Sequence, residues 1–167
     1  MVSLSGADVG GGAGSPPPDL LTKWIELSAF QPIDRDHSAK GTRMHEVWVD
    51  RPEHEAIRRR YINERYRLMP YLCTVAEETS HDGLPIDRPL FLEFPHAIEN
   101  GTPLDLTTGG SEFLFGSRIL VAPTPPRKRL PLTPCAFRPA HGTTTGRASG
   151  IRVAIPMGHL TWNSAIT

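Results

Sequence analysis

Net charge is missing from this sequence: 18 Lys and Arg residues balance 18 Asp and Glu residues over 167 positions. A chain without electrostatic bias offers no footprint for nucleic acid or for an anionic membrane surface. Long apolar runs are missing too, and none approaches the roughly 18 residues of a membrane span. Cysteine is scarce. The 2 cysteines, Cys73 and Cys135, have no metal-ligand spacing and build no disulfide framework. Cys73 falls on an apolar helical face and is expected in a core. His45, His54 and His81 also lack zinc spacing and read as solvated helix or loop residues. No metal and no cofactor is expected. The opening Met1-Val2-Ser3-Leu4 has neither the charged nor the apolar region of a signal peptide.

What the sequence does carry is punctuation and period. Prolines cluster at Pro16-Pro17-Pro18 and again from Pro123 to Pro139. Ser15 and Pro16 suit an N-cap and first helical position. Leu20, Leu21, Trp24, Ile25 and Leu27 then recur at helical spacing, predicting a helix of about ten residues with Trp24 on its apolar stripe. A segment from Val2 to Val9 reads as a strand feeding a glycine-rich loop, and Ile33 to His37 as another short strand. Ser38 to Asp50 reads as a polar loop. The strongest signal is a helix over Pro52–Ser80, with Asp50 and Glu53 as a capping box. Its apolar stripe is Ile57, Tyr61, Ile62, Leu68, Met69, Leu72, Cys73 and Ala76. Arg58, Arg59, Arg60, Glu64, Arg65 and Arg67 read as a solvated face. Pro70 should kink or break this helix near Leu68–Met69. Beyond Asp82-Gly83 the period shortens. Pro89 to Pro95, Phe113-Leu114-Phe115 and Arg118 to Ala122 read as strands, with Ala97 to Ser111 as a loop between them.

Four stretches in order resemble glycoside hydrolase family 31, the α-glucosidase and α-xylosidase group. Gly6-Ala7-Asp8-Val9-Gly10-Gly11 resembles its Gly-Ala-Asp-Ile-Gly-Gly-Phe motif, and Arg35-Asp36-His37 its Arg-Asn/Asp-His motif. Arg65-Tyr66-Arg67-Leu68-Met69-Pro70-Tyr71 resembles a helix of the family. Arg88 to Pro95, then Phe113 to Gly116 and Leu120 to Pro123, resemble the entry to its C-terminal β domain. The resemblance implies an α/β fold: the C-terminal part of a (β/α)8 barrel, strands seven and eight with their helices, followed by the start of a β-sandwich. The chain is shorter than the roughly 250 residues of a whole barrel. The expected division is 1–82 for the barrel part, 83–126 for the β domain and 127–167 for an unstructured tail.

Retaining α-glycosidases need a carboxylate nucleophile and a carboxylic acid about 5–5.5 Å apart. By resemblance both follow earlier strands than the Gly-Ala-Asp motif, so this chain is expected to hold no catalytic residue and to be inactive alone. It would instead position the sugar. Asp8 and His37 resemble residues lining the pocket, the carboxylate accepting from vicinal hydroxyls and the imidazole donating or accepting. Arg35 would orient carboxylates by bidentate bonding. Without the resemblance, Asp8 is a turn residue among glycines and His37 a loop residue. Trp48 reads equally as a sugar platform or as an ordinary loop residue. The expected partner is a carbohydrate substrate, with no nucleic acid and no membrane. The alternative is a non-catalytic product with no activity or only weak sugar binding. A helical interaction module built on Pro52–Ser80 ranks last. The run Gly10 to Gly14 does not fit a phosphate-binding loop, which needs Gly-Lys-Ser/Thr to follow.

Departures from the family pattern are local until Pro123. Gly11 stands where the family has an aromatic residue, Asp34 where an apolar or aromatic residue is common, and Val47 where proline is common. The tail departs altogether. The family continues with Leu-Pro-Pro-Gly-x-Trp-Tyr-Asp-Tyr-Trp-Thr-Gly, whereas this chain has Phe137-Arg138-Pro139-Ala140-His141-Gly142-Thr143-Thr144-Thr145-Gly146-Arg147. Codons for Trp-Tyr-Asp-Tyr-Trp-Thr-Gly, read one base later, give Gly-Thr-Thr-Thr-Gly-Arg. Residues from about Arg127 to about Ala148 are therefore expected to be translated out of frame, a composition that favours disorder. Sequencing the coding DNA should reveal the Trp-Tyr-Asp-Tyr-Trp run in the neighbouring frame; codons that cannot yield it would end the idea.

Overall fold

A computed structural model describes residues 4–95 and 112–123, together with the backbone of residues 98–99, 102–103, 142–145 and 151–156. The chain divides into two compact units, Met1–Gly83 and Leu84–Thr167. In the first, strand β1 (Gly6–Val9) and strand β2 (Ile33–Asp36) pair in parallel, joined through helix α1 (Pro18–Ser28). A parallel pair cannot be closed by a tight turn, so the helical crossover follows from the pairing itself. Register sets Asp8 opposite Arg35 and Val9 opposite Asp36. Val9, Leu21 and Ile25 form the core between strand and helix, with Trp24, Val49 and Ile62 packed against it. Each fully buried aliphatic side chain there contributes about 1.5–3 kcal/mol. Trp24 thus sits on the apolar stripe as its spacing predicts.

Helix α1 starts two residues later than Ser15-Pro16 suggests: Pro17 is its N-cap and Pro18 its first helical residue. Proline loses nothing there, because the first-turn N–H groups have no helical partner. Ser15 instead accepts the Arg43 backbone N–H at 3.0 Å. At the other end the orphan carbonyls meet a cation. Arg65 donates through Nη1 to the carbonyls of Ser28, Ala29 and Gln31 and through Nη2 to that of Pro32. A guanidinium at this position both satisfies these acceptors and complements the helix dipole.

Helix α2 (Pro52–Asp82) overturns several expectations. It runs through Pro70 without interruption, because the missing donor costs only one bond of a long ladder. Its N-cap is Arg51, with no side-chain cap bond, so Asp50 and Glu53 do not form a capping box. Glu53 and Glu55 still lie in the first turn, where they favour the dipole. Gly83, at φ 73°, ends the helix by donating its N–H to the Thr79 carbonyl at 2.9 Å. The buried residues are Arg58, Tyr61, Val75 and Thr79, with Arg65, Leu68 and Leu72 half-buried on the same alternating three-and-four spacing. Cys73 is exposed, and so is Ala76, contrary to the core expected for that flank.

Arg58 is the largest correction. Its residue is 0% exposed rather than solvated. Its guanidinium pairs with Asp50, donates through Nε to Thr22 Oγ1 at 3.0 Å, and reaches the carbonyls of Val47 and Pro18. Tyr61 packs edge-on to Phe30 with ring centroids 6.3 Å apart.

In the second unit, strand β3 (Asp87–Pro89) is followed by a single helical turn, α3 (Leu90–Glu93), where the sequence suggests a strand. A two-residue pair, β4 (Ile98–Glu99) with β5 (Thr102–Pro103), lies in the stretch expected to be loop. Strands β6 (Phe113–Phe115) and β7 (Ile119–Pro123) match their sequence signals. With β8 (Gly142–Thr145) and β9 (Ile151–Pro156) they form an antiparallel sheet in the order β3-β6-β7-β9-β8. Strands β8 and β9 lie within the stretch expected to be tail; the rest of 127–167 lies outside the described residues. Leu90, Leu114 and Leu120 form the core cluster beside Phe94. Arg88 is buried, donating to the Pro85 carbonyl at 3.0 Å and to Glu93 at 2.5 Å.

Two substitutions on α2 should separate these roles in urea unfolding. Arg58→Ala removes one of the two guanidinium partners of the buried Asp50 carboxylate, together with the bonds to Thr22, Val47 and Pro18, and should cost about 3–5 kcal/mol. Tyr61→Phe removes a buried hydroxyl that has no partner among the described residues, and should change stability by less than about 1 kcal/mol.

Candidate functional site

The parallel pair brings three sequence-predicted residues together. Asp8 and Arg35 are direct neighbours across the two strands. Arg35 donates through Nε to Asp8 Oδ1 at 2.8 Å and through Nη2 to Asp8 Oδ2 at 2.5 Å. This is the planar two-bond geometry for which guanidinium and carboxylate are matched. Side chains alternate along a strand, so Asp8 and Arg35 share one face while Val9 and Asp36 take the other. Val9 packs on α1. Asp8 and Arg35 therefore lie on the face away from the helix. The pair is open to solvent, with side-chain exposures of 42% for Asp8 and 59% for Arg35. Its part in holding the fold together is small for that reason.

His37 follows immediately. Its backbone N–H donates to the Val9 carbonyl at 3.1 Å, carrying the pairing one residue past β2. Strand β1 ends in a turn closed by the Gly11 N–H on the Asp8 carbonyl at 2.9 Å. Gly10, at φ 87°, takes the position that requires left-handed backbone. The glycine loop then passes close to His37: a Cβ on Gly12 would fall 3.4 Å from its Cδ2 and Nε2.

Behind this edge sits a histidine that the sequence reading placed in solvent. His45 is 1% exposed. Its Nδ1 lies 2.8 Å from the His37 carbonyl oxygen and 4.0 Å from Asp36 Oδ1. No spacing rule singles it out in the loop after β2. Arg58 and Arg65, also misread, did carry a signal: they fall seven residues apart with Tyr61 between, on the stripe that α2 buries. His54 is half-buried, its Nδ1 3.0 Å from Thr22 Oγ1. His81 is exposed and pairs with Glu77 at 2.8 Å. Trp48, left open by the sequence, is 61% exposed. Among the described residues no group of three or more His, Cys, Asp or Glu side chains could hold a metal ion.

The two neighbouring aspartates differ electrostatically. The Arg35 hydrogen bonds hold the Asp8 carboxyl below its ordinary value of 3.8. Burial, partly opposed by His45, pushes Asp36 above the same value. Asp8 therefore stays an ionised, accept-only group through the neutral range.

The sequence model of the glycosyl hydrolases family 31 TIM-barrel domain matches residues 1–75. A probable glucan 1,3-α-glucosidase of Oryza sativa subsp. japonica is 39% identical over 71% of this chain. Alpha-glucosidase 2 of Bacillus thermoamyloliquefaciens is 38% identical over 73% of it. The chain spans only 12% and 15% of those two proteins. Among solved structures, a family 31 α-glucosidase from Bacteroides thetaiotaomicron superposes with a TM-score of 0.68 at 31% identity, covering 84% of this chain and 22% of that one. A Flavobacterium johnsoniae dextranase of the same family, complexed with glucose, gives 0.59 at 34% identity, covering 70% and 14%.

The opposed shifts of the two aspartates give a measurable sign. For Asp8, the stabilising contribution is present above 3.8 and is lost as pH falls through its depressed midpoint. For Asp36, stability declines as pH rises from 3.8 through its raised midpoint. Carboxyl 13C titration should place the Asp8 midpoint below 3.8 and the Asp36 midpoint above it. Arg35→Gln should return Asp8 towards the ordinary value and leave Asp36 where it is.

Proposed function

The chain belongs to glycoside hydrolase family 31, and on that premise we propose that it supplies the sugar-positioning side of a retaining α-glycosidase acting on the O-glycosyl bonds of α-glucosides or α-xylosides. The observation that carries this reading is the Asp8–Arg35 pair beside His37, at the C-terminal ends of two parallel strands and on the face away from the helix. In a barrel of this type the helices lie outside, and the site is built where strands end. Matched to that frame, Asp8 and His37 face the substrate.

Each group then has a chemical task. Asp8 presents two oxygens, each bonded once to Arg35 and each with a lone pair left for a sugar hydroxyl. Arg35 keeps that carboxylate ionised and fixes its plane. His37, one residue beyond the strand, can donate to or accept from a further hydroxyl. Such contacts accelerate hydrolysis to the extent that they strengthen as the sugar ring flattens towards the oxocarbenium-like transition state.

The reacting carboxylates are assigned elsewhere in the enzyme. Strand alternation sends Asp34 and Asp36 to the opposite face from Asp8, so Asp8 has no carboxylate partner beside it on its own face of the pair. Without two facing carboxyl groups neither the covalent intermediate nor its hydrolysis has a route.

The purified 167-residue chain should give no turnover of a chromogenic α-glucoside. It should bind the imino sugar 1-deoxynojirimycin weakly, seen by ligand-observed NMR, with Asp8→Asn lowering affinity by about tenfold through loss of one charge-assisted contact. Turnover by the chain would overturn the assignment of the reacting groups. An Asp8→Asn variant that binds as the parent does would overturn the sugar-positioning role.

A further inference from the structure

We propose that His45 is a positioning residue, which locks the strand end bearing Asp8 and the one bearing His37 into a single rigid edge. The inference rests on the reading of Asp8 and His37 as sugar-facing groups, and names what holds them in register. His45 is buried in a loop whose other residues are half-buried or exposed. One edge of its imidazole meets β2: Nδ1 lies 2.8 Å from the His37 carbonyl oxygen. A carbonyl can only accept, so Nδ1 carries the proton and donates. The ring also lies against Gly10, just past β1: a Cβ built there would press on Nδ1 and fall 2.7 Å from Cε1 and Cγ. Gly10 belongs to the turn that closes on the Asp8 carbonyl. A single side chain therefore touches Gly10, two residues after Asp8, and the carbonyl of His37.

The consequence for His37 is specific. Its N–H is taken by the Val9 carbonyl and its C=O by His45, so both its peptide groups are fixed and only the side-chain torsions stay adjustable. His45 itself is held by the Nδ1 bond and by the fit over Gly10. Asp36 is 4.0 Å away, beyond hydrogen-bond reach, and Nε2 is buried without a partner among the described residues.

Two variants of the full chain separate positioning from simple packing. The amide nitrogen of His45→Asn falls close to the place of Nδ1 and keeps the donor, but leaves a void. His45→Leu fills the space and removes the donor. The readouts are the His37 ring cross-peaks in 13C-histidine-labelled protein, assigned with His37→Gln, and 1-deoxynojirimycin affinity, with the urea midpoint as control. Expected is near-parent His37 shifts for Asn and displaced shifts for Leu. Loss of one hydrogen bond should weaken sugar binding about fivefold in Leu and less in Asn. A merely structural role gives the reverse order, with Leu close to the parent and Asn displaced in step with its lower urea midpoint, and that result overturns the proposal. If the parent binds no imino sugar while the His37 shifts follow the donor, the sugar reading fails and the positioning stands.

Discussion

A single guanidinium, removed from water, holds the first unit's loops to its helices. Arg58 reaches from α2 to the Pro18 carbonyl and Thr22 hydroxyl of α1, and to the Val47 carbonyl and Asp50 carboxylate of the loop after β2. Burying such a charge is tolerable only when every donor finds an acceptor. Asp50 also takes Arg43, whose Nη1 donates to the Pro16 carbonyl and whose backbone N–H donates to Ser15. Two arginines and one aspartate thus tie down both the end of the glycine loop and the loop that carries His45. The strand ends bearing Asp8 and His37 are exposed, but what stands behind them is fixed by this network.

Much of the architecture is legible in the sequence because period and punctuation survive tertiary packing. The two longer helices, the strands around Asp8 and Arg35, and the paired Phe113–Phe115 and Ile119–Pro123 strands follow from spacing alone. The misreadings share a cause. A run of arginines looks solvated by composition, yet Arg58 and Arg65 lie on the buried stripe and find carbonyls and carboxylates that are distant in sequence. Asp50 resembles a cap residue until Arg58 and Arg43 claim it. Long-range partners outcompete local signals, and no window of sequence contains them.

The site divides along the same line. Asp8 and His37 stand out through their motifs, and parallel pairing then places Arg35 against Asp8 with no further information. His45 was invisible. Its role depends on the contact with Gly10, which exists only once the loop has folded back over the strand ends. The chemistry of these strand ends is written in residue types; their rigidity is written in shape.

That shape has an evolutionary corollary. Gly10 combines left-handed backbone with an imidazole pressed against its α-carbon. A lineage that enlarges position 10 gains by first shrinking position 45, since the opposite order passes through an intermediate in which the buried imidazole must be displaced. The two sites form an epistatic pair, and among descendants of this sequence their histories should be correlated even where neither residue touches a ligand.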